Sequence, residues 1–237
     1  MQFKQELEPG ILIRRYKRFL ADIELSDKKV LTVHCPNTGS MLGCSEPGSP
    51  VIISRSDNPG RKYLYTLEMV QAGSAWVGVN TSLTNKLVRE ALEKKVVQEF
   101  GNLDSIAQEV KTSAHTRLDF LLEREGMRIY MEVKNCSLAE NRAAMFPDAV
   151  TARGTKHLYE LAALKKQGHG AAVFFCVQRR DADCFMPARH IDPVYAETLA
   201  QVAAEGVMVL AYQADVNPRE ITITRKLPVK LAAKDVL

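Results

Sequence analysis

The sequence has no long apolar run, little cysteine and no surplus of charge of one sign, and each shortage removes a class of protein. Its strongest apolar stretch, residues 171–177, is far shorter than the roughly 20 residues a membrane helix requires. The opening residues, Met-Gln-Phe-Lys-Gln-Glu, contain no apolar signal-peptide region, so the expectation is a soluble, cytoplasmic protein with no membrane partner. Five cysteines, at 35, 44, 136, 176 and 184, are odd in number and include no C-x-x-C pair, which fits neither a disulfide framework nor a zinc ribbon. The 32 basic and 28 acidic residues leave a formal net charge of +4, with 10 against 8 over residues 1–80 and 22 against 20 beyond. A polyanion site must therefore be a local patch and not a polycationic tail. At 237 residues the chain can form one large domain or two smaller ones with a sizeable core.

What is present first is a strand pattern. Phe19, Ala21, Ile23 and Leu25 alternate with Leu20, Asp22 and Glu24, and a turn at 26–29 leads into an apolar segment at 30–34. Further strands are expected at 51–55, 61–70 and 75–79, separated by segments rich in Pro, Gly, Asn and Asp at 35–50 and 56–60. Short strands without a helix predict an all-β, OB-like barrel over residues 1–80, a fold that closes its edges and commonly binds nucleic acid. After Asn80 the period becomes helical. Leu83, Leu87, Val88, Ala91 and Leu92 recur on one face, with Thr81, Ser82 or Thr84 as the N-cap and Gly101 as the stop. Residues 81–237 then form the second expected domain. A strand near 105–111 precedes a hairpin at 115–123 and 128–135, a helix at 148–167 and a buried strand at 171–178. A helix at 193–205 and strands at 207–212 and 220–224 complete an α/β domain, a mixed sheet with flanking helices.

The chemistry concentrates in the hairpin. With Glu125-Gly126 as a two-residue turn, Asp119 lies directly opposite Glu132, with Cβ atoms roughly 4.5–5.5 Å apart. Strand alternation places Lys134 on the same face and turns Val133 to the core. Facing carboxylates destabilise a sheet unless a cation lies between them, and an all-oxygen site suits Mg²⁺ or Mn²⁺. In this reading Asp119, Glu132 and the Val133 carbonyl hold the metal, with Glu90 as a candidate third acid and Glu109 a weaker one. Lys134 orients or deprotonates the attacking water and stabilises phosphate charge. The competing reading is a surface hairpin with a common Glu-x-Lys.

Basic residues elsewhere suggest a grip on phosphate. Arg153, Lys156 and His157 share one face of the expected 148–167 helix with Glu160, and Asp148 beside Pro147 is a candidate cap. In the barrel Arg14, Tyr16 and Arg18 alternate along one strand face, and Arg61-Lys62-Tyr63 resembles them. Solvated charged surfaces are the alternative for both sets. Trp76 is read as core. His34 and Cys35 do not form a nucleophile pair, since strand neighbours point to opposite faces. His115, His169 and His190 have no metal-ligand spacing.

Several long stretches resemble the sugar fermentation stimulation protein A family. They are Arg14-Arg-Tyr-Lys-Arg-Phe-Leu-Ala-Asp22, His34-Cys-Pro-Asn-Thr-Gly39, Tyr130-Met-Glu-Val-Lys134, Phe146-Pro-Asp-Ala-Val-Thr-Ala-Arg-Gly-Thr-Lys-His-Leu158 and Pro187-Ala-Arg-His-Ile-Asp192. The resemblance runs nearly end to end. It implies an N-terminal OB-like domain, a C-terminal PD-(D/E)XK, restriction-endonuclease-like domain, and a bacterial DNA-binding protein linked to regulation of sugar, especially maltose, metabolism. It assigns the motif's aspartate to Asp119, its second acid to Glu132 and its lysine to Lys134, while Leu118 stands where the motif's name has proline. Two functions follow as expectations: a Mg²⁺- or Mn²⁺-dependent nuclease acting on DNA, or a non-catalytic DNA-binding regulator. With no helix-turn-helix in the pattern, the expected partner is DNA without strong sequence specificity.

Overall fold

The structure is a computed structural model and describes residues 1–4, 6–112 and 116–231. His115, where the expected hairpin begins, lies outside the described residues. The N-terminal domain is a strongly curled six-stranded sheet of β1 (Leu7–Tyr16), β2 (Leu20–Glu24), β3 (Val30–His34), β4 (Pro50–Arg55), β5 (Tyr65–Ala72) and β6 (Ala75–Gly78). The strand order is β3-β2-β1-β4-β5-β6, and His34 of β3 also meets Thr66 of β5, which brings the curl round into an OB barrel. Leu12, Ile23, Val33, Ile53, Leu67 and Val77 fill its interior.

Of strand β1 the sequence reading has only the C-terminal end, where Arg14 and Tyr16 were placed on a strand. Strand β1 contains Pro9 and Gly10 and lacks clean alternation, because a register shift between Leu12 and Arg14 breaks its period. Gly10 is required there, since a Cβ would lie 2.4 Å from Ile23 Cγ2 on β2. The expected Arg14-Tyr16-Arg18 face is corrected: β1 ends at Tyr16, and Lys17 (φ 50°) and Arg18 (φ 64°) form the turn to β2. Arg61 and Lys62 likewise precede β5 instead of lying on it.

Asn80, not Thr81, Ser82 or Thr84, caps the entry to the first helix. Its side chain accepts from the Ser82 N–H and starts one 3₁₀ turn, Thr81–Leu83, that continues into α1 (Thr84–Glu93). Gly101, with φ 61°, closes a separate turn at Gln98–Phe100 and does not stop α1. Beyond these run β7 (Ser105–Lys111), β8 (Arg117–Arg124), β9 (Met127–Cys136), β10 (Leu138–Glu140), β11 (Ala143–Phe146) and α2 (Ala152–Lys166). The remaining elements are β12 (Gly170–Val177), β13 (Cys184–Pro187), α3 (Pro193–Ala204), β14 (Met208–Val216) and β15 (Ile221–Lys226).

The second large sheet has the order β15-β14-β12-β9-β8-β7, parallel at β9, β12 and β14 and antiparallel towards both edges. A small sheet, β10-β11-β13, lies beside it. One face of the large sheet packs on α2 and α3 through Leu158, Leu161, Phe175, Tyr195 and Leu199. The other packs on α1 through Val88, Phe120, Met131 and Phe174, and this core also takes in Ile52 and Met69 from the barrel. The two domains are thus joined through apolar burial, with Trp76 partly buried against the shared core. All five cysteines are free thiols. No helix among the described residues is long and apolar enough to cross a membrane.

Candidate active site

The hairpin forms as its turn residues require. Glu125 (φ 50°) and Gly126 (φ 77°) both take the left-handed conformation of a type I′ turn, and β8 pairs with β9 from Arg124–Met127 through Phe120–Met131. The ladder stops one residue short of Asp119. There the Val133 N–H donates to Asp119 Oδ2 at 2.7 Å. Main-chain N–H and C=O of a strand residue face the same neighbour, so the Val133 carbonyl is also turned towards the Asp119 side. Asp119 Oδ1 accepts a 2.8 Å bond from Asn85 Nδ2 on α1.

Glu132 is 5% exposed, and its Oε1 accepts from Lys134 Nζ and His157 Nδ1, each at 2.5 Å. Among the described residues nothing donates to its Oε2. Burial pushes Glu132 up, but His157 and Lys134 more than offset that and leave it below the ordinary carboxylate range. Asp119 moves the other way. Burial first, and the charge of Glu132 second, push it up to about 6, against weaker opposing bonds from Val133 and Asn85. Two adjacent carboxylates driven apart in this way are a common arrangement in catalytic sites, although structural networks also produce it.

The other expected residues fall into two groups. His157 joins the pair, but as a buried partner of Glu132 and not as a surface phosphate contact. Gly154, His157, Leu158 and Leu161 form the buried stripe of α2, leaving Arg153 and Lys156 exposed, so the expected single face is divided. Glu90 stays apart: it binds the Met1 amino group at 2.9 Å and also pairs with Lys94. Glu109 is exposed and faces Arg117 at 3.5 Å. Asp148 does not cap α2, because Thr151 does, accepting from the Gly154 N–H at 3.1 Å; Asp148 Oδ2 instead receives the Met41 N–H at 2.8 Å. Arg14 binds Asp22 at 2.8 Å and lies over the Tyr16 ring, whose hydroxyl also donates to Asp22. Arg61 and Lys62 are exposed, with Lys62 Nζ 5.5 Å from the Tyr63 ring centre.

Asn85 was not singled out from the sequence. Its signal was a polar side chain at i−3 from Val88 and i−7 from Leu92, along the buried stripe of α1. Tyr195, also missed, is fully buried, and among the described residues its hydroxyl has no hydrogen-bond partner.

Among the described residues no group of three or more His, Cys, Asp and Glu side chains has metal-binding spacing. What the hairpin provides is smaller: two carboxylates in charge conflict, a free Glu132 oxygen and a main-chain carbonyl on the same side. All are hard oxygen donors, which suits Mg²⁺ or Mn²⁺ better than a thiophilic metal.

A family model described as the SfsA N-terminal OB domain matches residues 13–79, and one described as the sugar fermentation stimulation protein RE domain matches residues 82–220. A sugar fermentation stimulation protein homolog of Desulfotalea psychrophila is 54% identical over 231 residues, covering 98% of this chain and 95% of its own. The homolog of Geotalea uraniireducens is 51% identical over 231 residues, covering 98% and 100%. Among solved structures, Pyrococcus furiosus SfsA in complex with Ca²⁺ superposes with a TM-score of 0.89 at 27% identity, over 97% of this chain and 98% of the other.

Proposed function

The chain belongs to the sugar fermentation stimulation protein family, and from that premise we propose that it is a divalent-metal-dependent nuclease that binds DNA and hydrolyses its phosphodiester bonds. The observation that carries this reading is the Asp119–Glu132 pair, in which burial first and the charge of Glu132 second raise Asp119 to about 6, beside the amine of Lys134. A bound divalent cation would relieve that repulsion, and the Ca²⁺ complex of the Pyrococcus furiosus relative supports a hard cation in this family.

Asp119, Glu132 and the Val133 carbonyl would hold Mg²⁺ or Mn²⁺. When bound, the ion supplies Lewis acidity that lowers the pKa of water and neutralises phosphate charge. Asn85 and the Val133 N–H fix both Asp119 oxygens, so this ligand is preorganised. Lys134, held against Glu132, orients the attacking water and stabilises the charge that grows on the phosphate. Arg14, Tyr16, Arg18, Arg61 and Lys62 on the barrel, with Arg153 and Lys156 on α2, supply a sequence-independent grip on DNA.

A second reading is a DNA-binding regulator that retains the site without turnover. One observation favours it: Lys134 and His157 already satisfy one oxygen of Glu132 without a metal. The test is incubation of the purified protein with single- and double-stranded DNA in Mg²⁺, Mn²⁺ or EDTA. The nuclease reading expects divalent-dependent cleavage that Asp119→Ala or Glu132→Ala removes. Binding without cleavage under every metal condition leaves the regulator.

A further inference from the structure

An open cleft of about 660 Å³ lies between the barrel and the C-terminal domain. Arg15, Arg18 and the 37–40 loop line it from the barrel, the 146–151 segment lines it from the other domain, and Val133, Lys134 and Asn135 also border it. We propose that this cleft binds a single nucleic-acid strand, leads its backbone to the Asp119–Glu132 pair, and excludes an intact duplex. The proposal rests on the nuclease reading for its chemistry and adds to it the form of the substrate.

Size is the first reason. A volume of about 660 Å³ falls within the ~300–1,000 Å³ range that takes a ligand of drug size, so it accommodates one or two nucleotides. A B-form duplex, whose major groove alone is about 12 Å wide, does not fit such a space.

The second reason is that the width is fixed. Across the cleft Ser40 Oγ donates to the Asp148 carbonyl at 2.5 Å, and the Met41 N–H donates to Asp148 Oδ2 at 2.8 Å. Gly39 lies so close that a Cβ there would be 2.8 Å from both carboxylate oxygens of Asp148. Arg15 braces the loop from behind, with bonds to the carbonyls of Asn37 and Gly39 at 2.7 Å and of Ser40 at 3.1 Å. Opening the cleft for a duplex means breaking these contacts together.

Charge and surface chemistry supply the third reason. Arg15, Arg18 and Lys134 border the cleft with one acid, Asp148; Arg15 is engaged by the loop carbonyls and Lys134 by Glu132, which leaves Arg18 as the cation open to a ligand. The Arg18 side chain is exposed and has no partner among the described residues, so it is free to take a phosphate. Lys134 connects the cleft to Glu132 directly.

The test is fluorescence anisotropy of the full-length protein with a labelled 12-nucleotide oligothymidylate and with a blunt 12-base-pair duplex, in Ca²⁺ and in EDTA. The single strand should bind at least tenfold more tightly than the duplex. Arg18→Gln, checked for an unchanged melting temperature, should weaken single-strand binding at least fivefold and reduce its salt slope by about 0.7. Equal affinity for the two forms, or unchanged single-strand binding by the folded variant, overturns the proposal. Failure of the two readings is separable. Divalent-dependent cutting by a protein that binds single strands no better than duplex removes the cleft and keeps the nuclease. Single-strand preference without cutting keeps the cleft and removes the nuclease.

Discussion

Asp22 in the barrel and Asp119 in the C-terminal sheet are both aspartates on antiparallel hairpins, yet they have opposite electrostatic surroundings. Asp22, 7% exposed, receives Arg14 at 2.8 Å, Thr32 at 2.8 Å and Tyr16 at 3.1 Å; burial raises it, but these partners together hold it below the ordinary range. Asp119 receives only neutral donors, and burial first and the charge of Glu132 second raise it to about 6. Glu68 and Glu132, both 5% exposed, show the same contrast with the two regions exchanged. Burial raises Glu68, whose Ser54 and Asn80 partners are neutral, whereas Lys134 and His157 bring Glu132 down. Between Glu68 and Glu132, which are equally exposed, the charge of the partners decides the direction. Asp22 is held by a cation directly, whereas in the hairpin Lys134 and His157 contact Glu132 and none bonds to Asp119 among the described residues.

The largest expected effect is on cleavage. Asp119→Ala and Glu132→Ala should each lower divalent-dependent hydrolysis by about 10²–10³-fold or more, and Lys134→Ala should reduce it severely. Asp22→Asn should stay close to wild type in the same assay. A hairpin variant that cuts normally would erase the distinction between the two regions.

Stability against pH should separate them next. Asp119 has a folded pKa above its ordinary value, so folding takes up a proton between roughly pH 4 and 6, and the metal-free protein loses stability as pH rises through that window. Asp119→Asn should therefore melt higher than wild type in EDTA at pH 7, by about 1–3 kcal/mol or several degrees. The gain should vanish below about pH 4, and Mg²⁺ or Mn²⁺ should reverse the order, because the variant lacks a ligand. Asp22 works with the opposite sign. Its stabilisation is present above the ordinary carboxylate range and is lost as pH falls through its lowered value, so Asp22→Asn should melt lower at pH 7 and converge with wild type in acid. Thermal melts of the three proteins from pH 3 to 8 would sharpen the comparison, and parallel curves would break it.

The smallest effect concerns grip. Replacing Arg14, Arg18, Arg61 and Lys62 together should flatten the salt dependence of DNA binding by up to roughly 0.9 log unit per lost phosphate contact. Arg14→Gln alone should contribute least, since Asp22 already holds that guanidinium. An unchanged slope in the folded quadruple variant removes the barrel surface from DNA binding.

Local chemistry was the most legible part of the sequence. Glu125-Gly126 specified the turn, and the turn set the register that brings Asp119 and Glu132 together. The curled N-terminal sheet followed from short strands between turn-rich loops, although the first half of β1 was hidden by Pro9, Gly10 and the register shift after Leu12. Strands β10, β11 and β13 have only three or four residues, and β11 pairs with β13 some forty positions later, so no local period announces them. His157 was visible as a basic residue, but its partner Glu132 lies 25 positions away, and its inward direction depends on how α2 packs on the sheet. Asp148 was misread for the same reason: its partner is a barrel loop more than a hundred residues earlier.

The most direct test of the account is anomalous scattering from crystals of the wild-type protein soaked in Mn²⁺. The predicted result is a manganese peak within coordination distance of Asp119, Glu132 and the Val133 carbonyl, lost in Asp119→Asn. A saturating soak that leaves the hairpin without a peak, in crystals where both carboxylates are ordered, would contradict it.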